Sequence, residues 1–179
     1  VVHPRPPTQV RQPAVWGLVV TYERPDAVAT MLDAIAQQSR PPDQILVVDN
    51  GLRHPARQVA QAHGCDYLAT GENKGPAGGI AAGMSEILRH AGEDDWLALF
   101  DDDDPPPFSD LLAQLVEFGQ IMVGIEPRTA GVGGLGARYD RRRGIYVRLS
   151  DDELGGPVSV DVIHGGRFPL YRCSALRRV

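Results

Sequence analysis

The chain has 179 residues, 42% hydrophobic and 23% charged, an ordinary balance for one globular domain with a real core. Its formal net charge of −5 excludes a protein that grips nucleic acid through bulk positive charge. No apolar run approaches the ~20 residues of a membrane-spanning helix. The two cysteines, Cys65 and Cys173, lack disulfide or zinc spacing and are expected as reduced thiols in a cytoplasmic protein.

Residues 1–14, VVHPRPPTQVRQPA, form a proline-rich lead-in. VWGLVVTY (15–22) is apolar and β-branched and reads as a buried strand. In the following RPDAVATMLDAIAQQSR, Val28, Met31, Leu32 and Ile35 recur at helical spacing, with Pro25 suited to a first turn. QILVVDNG (44–51) is a second buried strand ending in a turn signal, HPARQVAQAHG (54–64) a short helix closed by Gly64, and DYLAT (66–70) a short strand. PAGGIAAGMSEILRHAG (76–92) is a helix whose first half is nearly all small residues. WLALF (96–100) is a fourth strand and FSDLLAQLVEFG (108–119) a helix.

This strand–helix alternation predicts an α/β fold: a mainly parallel, mixed Rossmann-like sheet with helices on both faces. After residue 120 the pattern breaks into shorter strands and hairpins: GVGGLGARY, RRRGIYVRLS and VSVDVI. Arg141, Arg142 and Arg143, before Gly144, read as an exposed hairpin tip. YRCSALRRV (171–179) reads as an amphipathic helix with no stop signal, so more chain is expected to follow.

In open α/β sheets ligands bind beyond the carboxyl ends of the strands. Four polar clusters fall there: Thr21–Arg24, Asp49-Asn50-Gly51, GENKGPAGG (71–79) and Asp101–Asp104. Four successive carboxylates repel, so a cation, basic neighbours or solvent must offset them. Alternate residues of an extended segment share a side, which lets Asp101 and Asp103 face one magnesium or manganese ion while Asp102 turns to a ribose or an amide. The competing reading is a solvated acidic turn at a helix start; the buried strand before the run favours the metal. Asp49 is balanced between a nucleoside contact and a plain Asp-Asn-Gly turn. The glycines of 75–83 do not have P-loop or G-x-G-x-x-G spacing; they serve close packing as readily as phosphate binding, with Asn73 and Lys74 in reach of a nucleotide. His164 reads more often as a structural histidine and Arg167 as a surface residue, although the Gly165-Gly166 pair between them suggests a close backbone approach, with substrate as the alternative reading.

VVTYERPDAVATMLDAIAQQS, ILVVDNG, ENKGPAGGIAAGM and WLALFDDDDPPPF together resemble family 2 glycosyltransferases of the GT-A fold, in order and spacing over residues 15 to 115. The DDD within DDDD is similar to the D-x-D variant of galactofuranosyl- and rhamnosyltransferase-like members. The resemblance implies a metal-dependent, inverting enzyme that moves a sugar from a nucleoside-diphosphate sugar, UDP-sugar by default, to a glycan, lipid-linked or small-molecule acceptor. It implies Thr21 and Glu23 in the base pocket, Asp49 on the nucleoside, Asn73 and Gly75 at its border, and Asp102 near the ribose. Asp101 and Asp103 become the pair holding Mn2+ or Mg2+, and residues 164–167 lie toward the acceptor. Residues 15–120 are then the donor half and 121–179 the start of the acceptor half. The general base is expected beyond residue 179, because Asp151, Asp152, Glu153 and Asp161 do not sit where the family places it. A lipid-linked acceptor implies peripheral association with the inner membrane face. The alternative is a nucleotide-sugar binding module without catalysis. A nucleotidyltransferase would need a Gly-rich, Arg-containing loop after the first strand, which TYERPD does not supply.

Overall fold

The computed structural model describes residues 12–163 and 168–179. A six-stranded sheet runs in the order β3-β2-β1-β4-β9-β5. Strands β1 (Val15–Thr21), β2 (Gln44–Asp49), β3 (Asp66–Ala69) and β4 (Trp96–Asp101) are parallel. β5 (Gly131–Val132) and β9 (Leu170–Arg172) join antiparallel. The mainly parallel sheet expected from the alternation is therefore present, with an antiparallel margin supplied by the later chain.

The period-2 side-chain alternation of each strand divides the core into two layers. Val15, Val19, Val47, Trp96, Ala98 and Phe100 face one way, with Met31, Leu32 and Ile35 of α1 (Pro25–Ala36) and Leu115 and Val116 of α4 (Leu111–Ile125). α2 (Arg57–Ala62) lies on the same side. Trp16, Leu18, Leu46, Val48 and Leu97 face the other way, against Ile87 of α3 (Gly75–Leu88) and Cys173 of the one-turn α5 (Cys173–Leu176). Helices on both faces follow from strands that are apolar on both sides.

Two elements depart from the sequence reading. The helix expected over 108–119 runs through Gly119 to Ile125. Gly119 is a packing position: a Cβ there would come within 2.9 Å of the Trp96 ring. The amphipathic helix expected over 171–179 is only one turn long, because Leu170–Arg172 is spent as β9, paired with Trp96–Ala98. The remaining strands, β6 (Gly136–Asp140), β7 (Ile145–Arg148) and β8 (Val162–Ile163), make a small antiparallel sheet. Arg141–Arg143 are exposed at the β6–β7 tip, as read. Asp140 accepts hydrogen bonds there from the Arg142 and Arg143 amides at 2.9 and 3.2 Å. Among the described residues, no helix is long and apolar enough to cross a membrane. Cys65 and Cys173 are free thiols, both pushed up to about 11 by burial.

Candidate functional site

β1 lies between β2, which continues leftward in the sheet, and β4, which continues rightward. Chain connections diverge at such a point and leave a crevice at the strand ends. A cavity of about 390 Å³ opens there, within the size range of small-ligand sites. Its wall holds Val20, Thr21, Tyr22 and Arg24 from the end of β1 and its loop, and Leu99 through Asp103 from the end of β4. Asn50, Asn73, Pro76 and Ile80 close the remaining side.

The aspartates of the β4 end have different surroundings. Asp102 is nearly buried: Thr21 Oγ1 donates to its Oδ2 at 2.6 Å, and Arg24 Nη1 donates to its Oδ1 at 3.0 Å. Asp103 receives the same Arg24 nitrogen on Oδ2 at 2.9 Å. Asp101 has no hydrogen-bond or ion-pair partner among the described residues. Its carboxyl is held above the usual range, first by burial and then by the charges of Asp103, Asp104 and Asp102. It continues the alternation of Leu97 and Leu99, which places it on the α3 side of the sheet. Arg24 is in turn held above its ordinary range by its hydrogen bond to Asp103 and the charge of Asp102.

Among the described residues no three or more His, Cys, Asp or Glu are gathered closely enough to hold a metal unaided. Magnesium-type sites commonly use one or two carboxylates and complete their shell with substrate phosphates and water. The uncompensated Asp101, beside the half-exposed Asp103 on the same cavity wall, fits that partial donor set.

Thr21, Asn73, Asp101, Asp102 and Asp103 therefore share one cavity. Glu23, Asp49 and Gly75 are close by but outside its lining. Glu23 sits at φ 54°, a left-handed conformation uncommon for a residue with a side chain. It pairs with Arg53 through two contacts, one at 3.0 Å, which hold its carboxyl below the usual range. Asp49 is fully buried; its Oδ2 accepts from the Ala56 amide and the Tyr67 hydroxyl, each at 3.1 Å, and its Oδ1 has no partner among the described residues. Burial and Asp49 together push the Tyr67 hydroxyl up to about 12. Gly75 takes φ 71° at the first turn of α3, where its amide donates to Asn73 Oδ1 at 2.9 Å. His164, Gly165, Gly166 and Arg167 lie outside the described residues.

Two residues that sequence reasoning left within larger clusters emerge here. Asn50 is almost fully buried. It donates to the Gly75 carbonyl at 2.9 Å and accepts from the Lys74 amide at 3.1 Å, tying the end of β2 to the start of α3. Arg24 spans from the β1 loop to the β4 loop. Its position just before Pro25 was the available signal, since that places it at a strand-to-helix corner.

The Glycosyl transferase family 2 model matches residues 18–175. The chain belongs to glycosyl transferase family 2. Family members similar to it include galactofuranosyltransferase GlfT1 of Mycobacterium tuberculosis (strain ATCC 25618 / H37Rv), 31% identical over 177 residues. That alignment covers 93% of the chain and 58% of the relative. The protein of the same name from Mycolicibacterium smegmatis is 38% identical over 104 residues, covering 57% of the chain and 34% of the relative. The chain thus spans little more than half the length of the Mycobacterium tuberculosis relative and about a third of the Mycolicibacterium smegmatis one. Among solved structures, the mannosyltransferase PcManGT from Pyrobaculum calidifontis, in complex with GDP-Man and Mn2+, superposes with a TM-score of 0.64 at 20% identity. It is covered to 47%, against 94% of the chain. A 4-diphosphocytidyl-2C-methyl-D-erythritol synthase superposes with a TM-score of 0.61 at 16% identity. These two likenesses establish a shared fold, and the family places it among the GT-A glycosyltransferases.

Proposed function

We propose that the chain forms the donor-binding part of a glycosyltransferase that takes a nucleoside-diphosphate sugar with a divalent cation, Mn2+ or Mg2+. The single observation carrying this reading is Asp101: a carboxylate with a raised pKa and no partner among the described residues, on the wall of a cavity at the sheet's switch point. UDP is the default nucleotide, and the name of the mycobacterial relatives favours galactofuranose as the sugar. The acceptor is a hydroxyl of a glycan, a lipid-linked sugar or a small molecule. A cytoplasmic site of action, at the inner membrane face when the acceptor is lipid-linked, belongs to the same proposal.

Asp101 and Asp103 would hold the cation together with donor diphosphate oxygens. When bound, it supplies neutralisation of the charge that builds on the departing nucleoside diphosphate. The chain's own residues chiefly orient. Thr21 fixes Asp102 from the β1 side, and Asn50 fixes the start of α3, where Asn73 and Pro76 border the cavity. The reading is of direct displacement with inversion at the anomeric carbon.

Among the described residues the lining holds no carboxylate besides Asp101, Asp102 and Asp103. All three are assigned to the donor, so the base that deprotonates the acceptor stays unassigned. That observation supports a second reading, a module that binds the nucleotide sugar without transferring it. Calorimetric titration of UDP with Mn2+, and again with chelator, tests the common part. Cation-dependent binding lost in Asp101→Asn and Asp103→Asn is expected, and equal binding with and without chelator refutes the cation's role. Hydrolysis or transfer of UDP-galactofuranose then separates enzyme from module.

A further inference from the structure

We infer that Arg24 is a positioning residue that serves as an internal counter-cation: it holds Asp103 while donor is absent and turns to the donor's diphosphate when a divalent cation takes Asp103. This rests on the donor reading above. One guanidinium nitrogen, Nη1, is shared between Asp102 Oδ1 at 3.0 Å and Asp103 Oδ2 at 2.9 Å. Its Nε and Nη2 have no protein partner among the described residues, although a guanidinium carries five N–H donors in a fixed fork. The side chain is half exposed and lines the cavity. Unused donors on a side chain that lines a ligand-sized space are what a second, anionic partner requires.

The three aspartates define what can move. Asp102 is engaged on both oxygens, by Thr21 and by Arg24. Among the described residues Asp103 is engaged by Arg24 alone, and the Asp101 carboxylate by nothing. Arg24 occupies Oδ2 of Asp103, so a divalent ion drawn to the uncompensated Asp101 that takes Asp103 as its second carboxylate competes with Arg24 for that carboxylate's charge. Asp102, anchored by Thr21, keeps its own contact and becomes the pivot of the arginine. The backbone limits the alternatives. Glu23 at φ 54° turns the chain at the end of β1, and Arg24 (φ −125°, ψ 64°) precedes Pro25, which restricts its backbone. The guanidinium therefore swings about a fixed base between the acidic loop and the cavity.

The test measures Mn2+ alone, by electron paramagnetic resonance of the free ion, and UDP at saturating Mn2+, by calorimetry. Wild type, Arg24→Gln and Arg24→Lys are compared. Removing a half-exposed competing ion pair is expected to tighten Mn2+ alone about fivefold in Arg24→Gln. Loss of the diphosphate partner is expected to weaken UDP about tenfold in the same variant. Arg24→Lys, a point charge without the fork, is expected between the two. A merely structural role would weaken both ligands together. Unchanged or weaker Mn2+ binding in Arg24→Gln overturns the inference, as does failure of both wild type and Arg24→Gln to bind Mn2+. Tighter Mn2+ in Arg24→Gln with no UDP binding by wild type would leave the competition for Asp103 standing. That result would overturn the donor reading and the diphosphate half of the inference.

Discussion

Gly83 and Gly124 both lie in helices, and the same substitution should act on them in opposite directions. In α3, a Cβ at Gly83 would fall 2.4 Å from Leu18 Cδ1 and 2.9 Å from Val48 Cγ2. Leu18 and Val48 are themselves fully buried in the sheet, so neither can retreat. Overpacking of this kind costs about 1–3 kcal/mol, against a gain of about 1 kcal/mol from the better helix propensity of alanine. Gly83→Ala should therefore destabilise by up to about 2 kcal/mol, a fall of up to roughly 1 M in the urea midpoint at an m-value near 2 kcal/mol/M. In α4, a Cβ at Gly124 meets nothing within 4 Å and its φ is not left-handed. Gly124→Ala should gain about 0.5 kcal/mol and raise the midpoint by about 0.3 M. Urea denaturation followed by circular dichroism reads both. A Gly83→Ala midpoint at or above wild type would refute the claim that close approach of α3 to the sheet depends on the missing side chain.

Gly79→Ala should add a functional loss, because its Cβ would lie 2.6 Å from Val20 and 3.2 Å from Asn50, both on the cavity wall; UDP calorimetry checks it. Asp101→Asn should raise the stability without donor by a few tenths of a kcal/mol, seen as a small rise of the thermal midpoint, since repulsion at this solvent-screened group disappears; a fall would contradict the uncompensated charge. Asp49→Ala should cost about 2–3 kcal/mol, as it leaves the Ala56 amide and Tyr67 hydroxyl unpaired, and Tyr67→Phe about 1 kcal/mol; urea midpoints rank the two. His63 is held above its usual range by the Val59 carbonyl and then by Asp33. With the folded pKa above the unfolded one, its contribution is full below about pH 6.5 and is lost as pH rises through the folded value. Wild type should lose stability over that window relative to His63→Gln, in a stability–pH profile at low salt.

The parallel half of the sheet was readable because its strands are buried on both faces and appear as unbroken apolar runs, VWGLVV, ILVV and WLALF. Their ends were readable because each run stops at a polar residue, and parallel pairing brings those stops to one rim. Thr21 aligns with Asp49, and Val20 with Asp101. Long-range pairing was not readable. Nothing local in LYR distinguishes a three-residue strand from the start of a helix; the free side of β4 decides it. Gly119 looked like a stop because glycine usually is one, whereas the Trp96 ring that requires it lies far away in sequence. The contrast between Asp101, Asp102 and Asp103 was equally hidden, since it arises from Thr21 and Arg24 across the cavity.

Every described residue that lines the cavity falls between Val20 and Asp103, yet the strand that carries the aspartates gains its second neighbour only at Leu170–Arg172. Synthesis runs from the amino terminus, so the four parallel strands emerge well before β9 does. In that interval β4 presents Trp96, Leu97 and Ala98 along an unpaired backbone, the kind of open margin on which chains aggregate. Phe168 then packs its ring 5.1 Å from Phe100, and the Pro169 carbonyl accepts from the Leu99 amide at 3.1 Å, just before the acidic run. A chain cut short of Leu170 keeps all the cavity's chemistry in its sequence and loses the late-arriving strand that shields it from its neighbours.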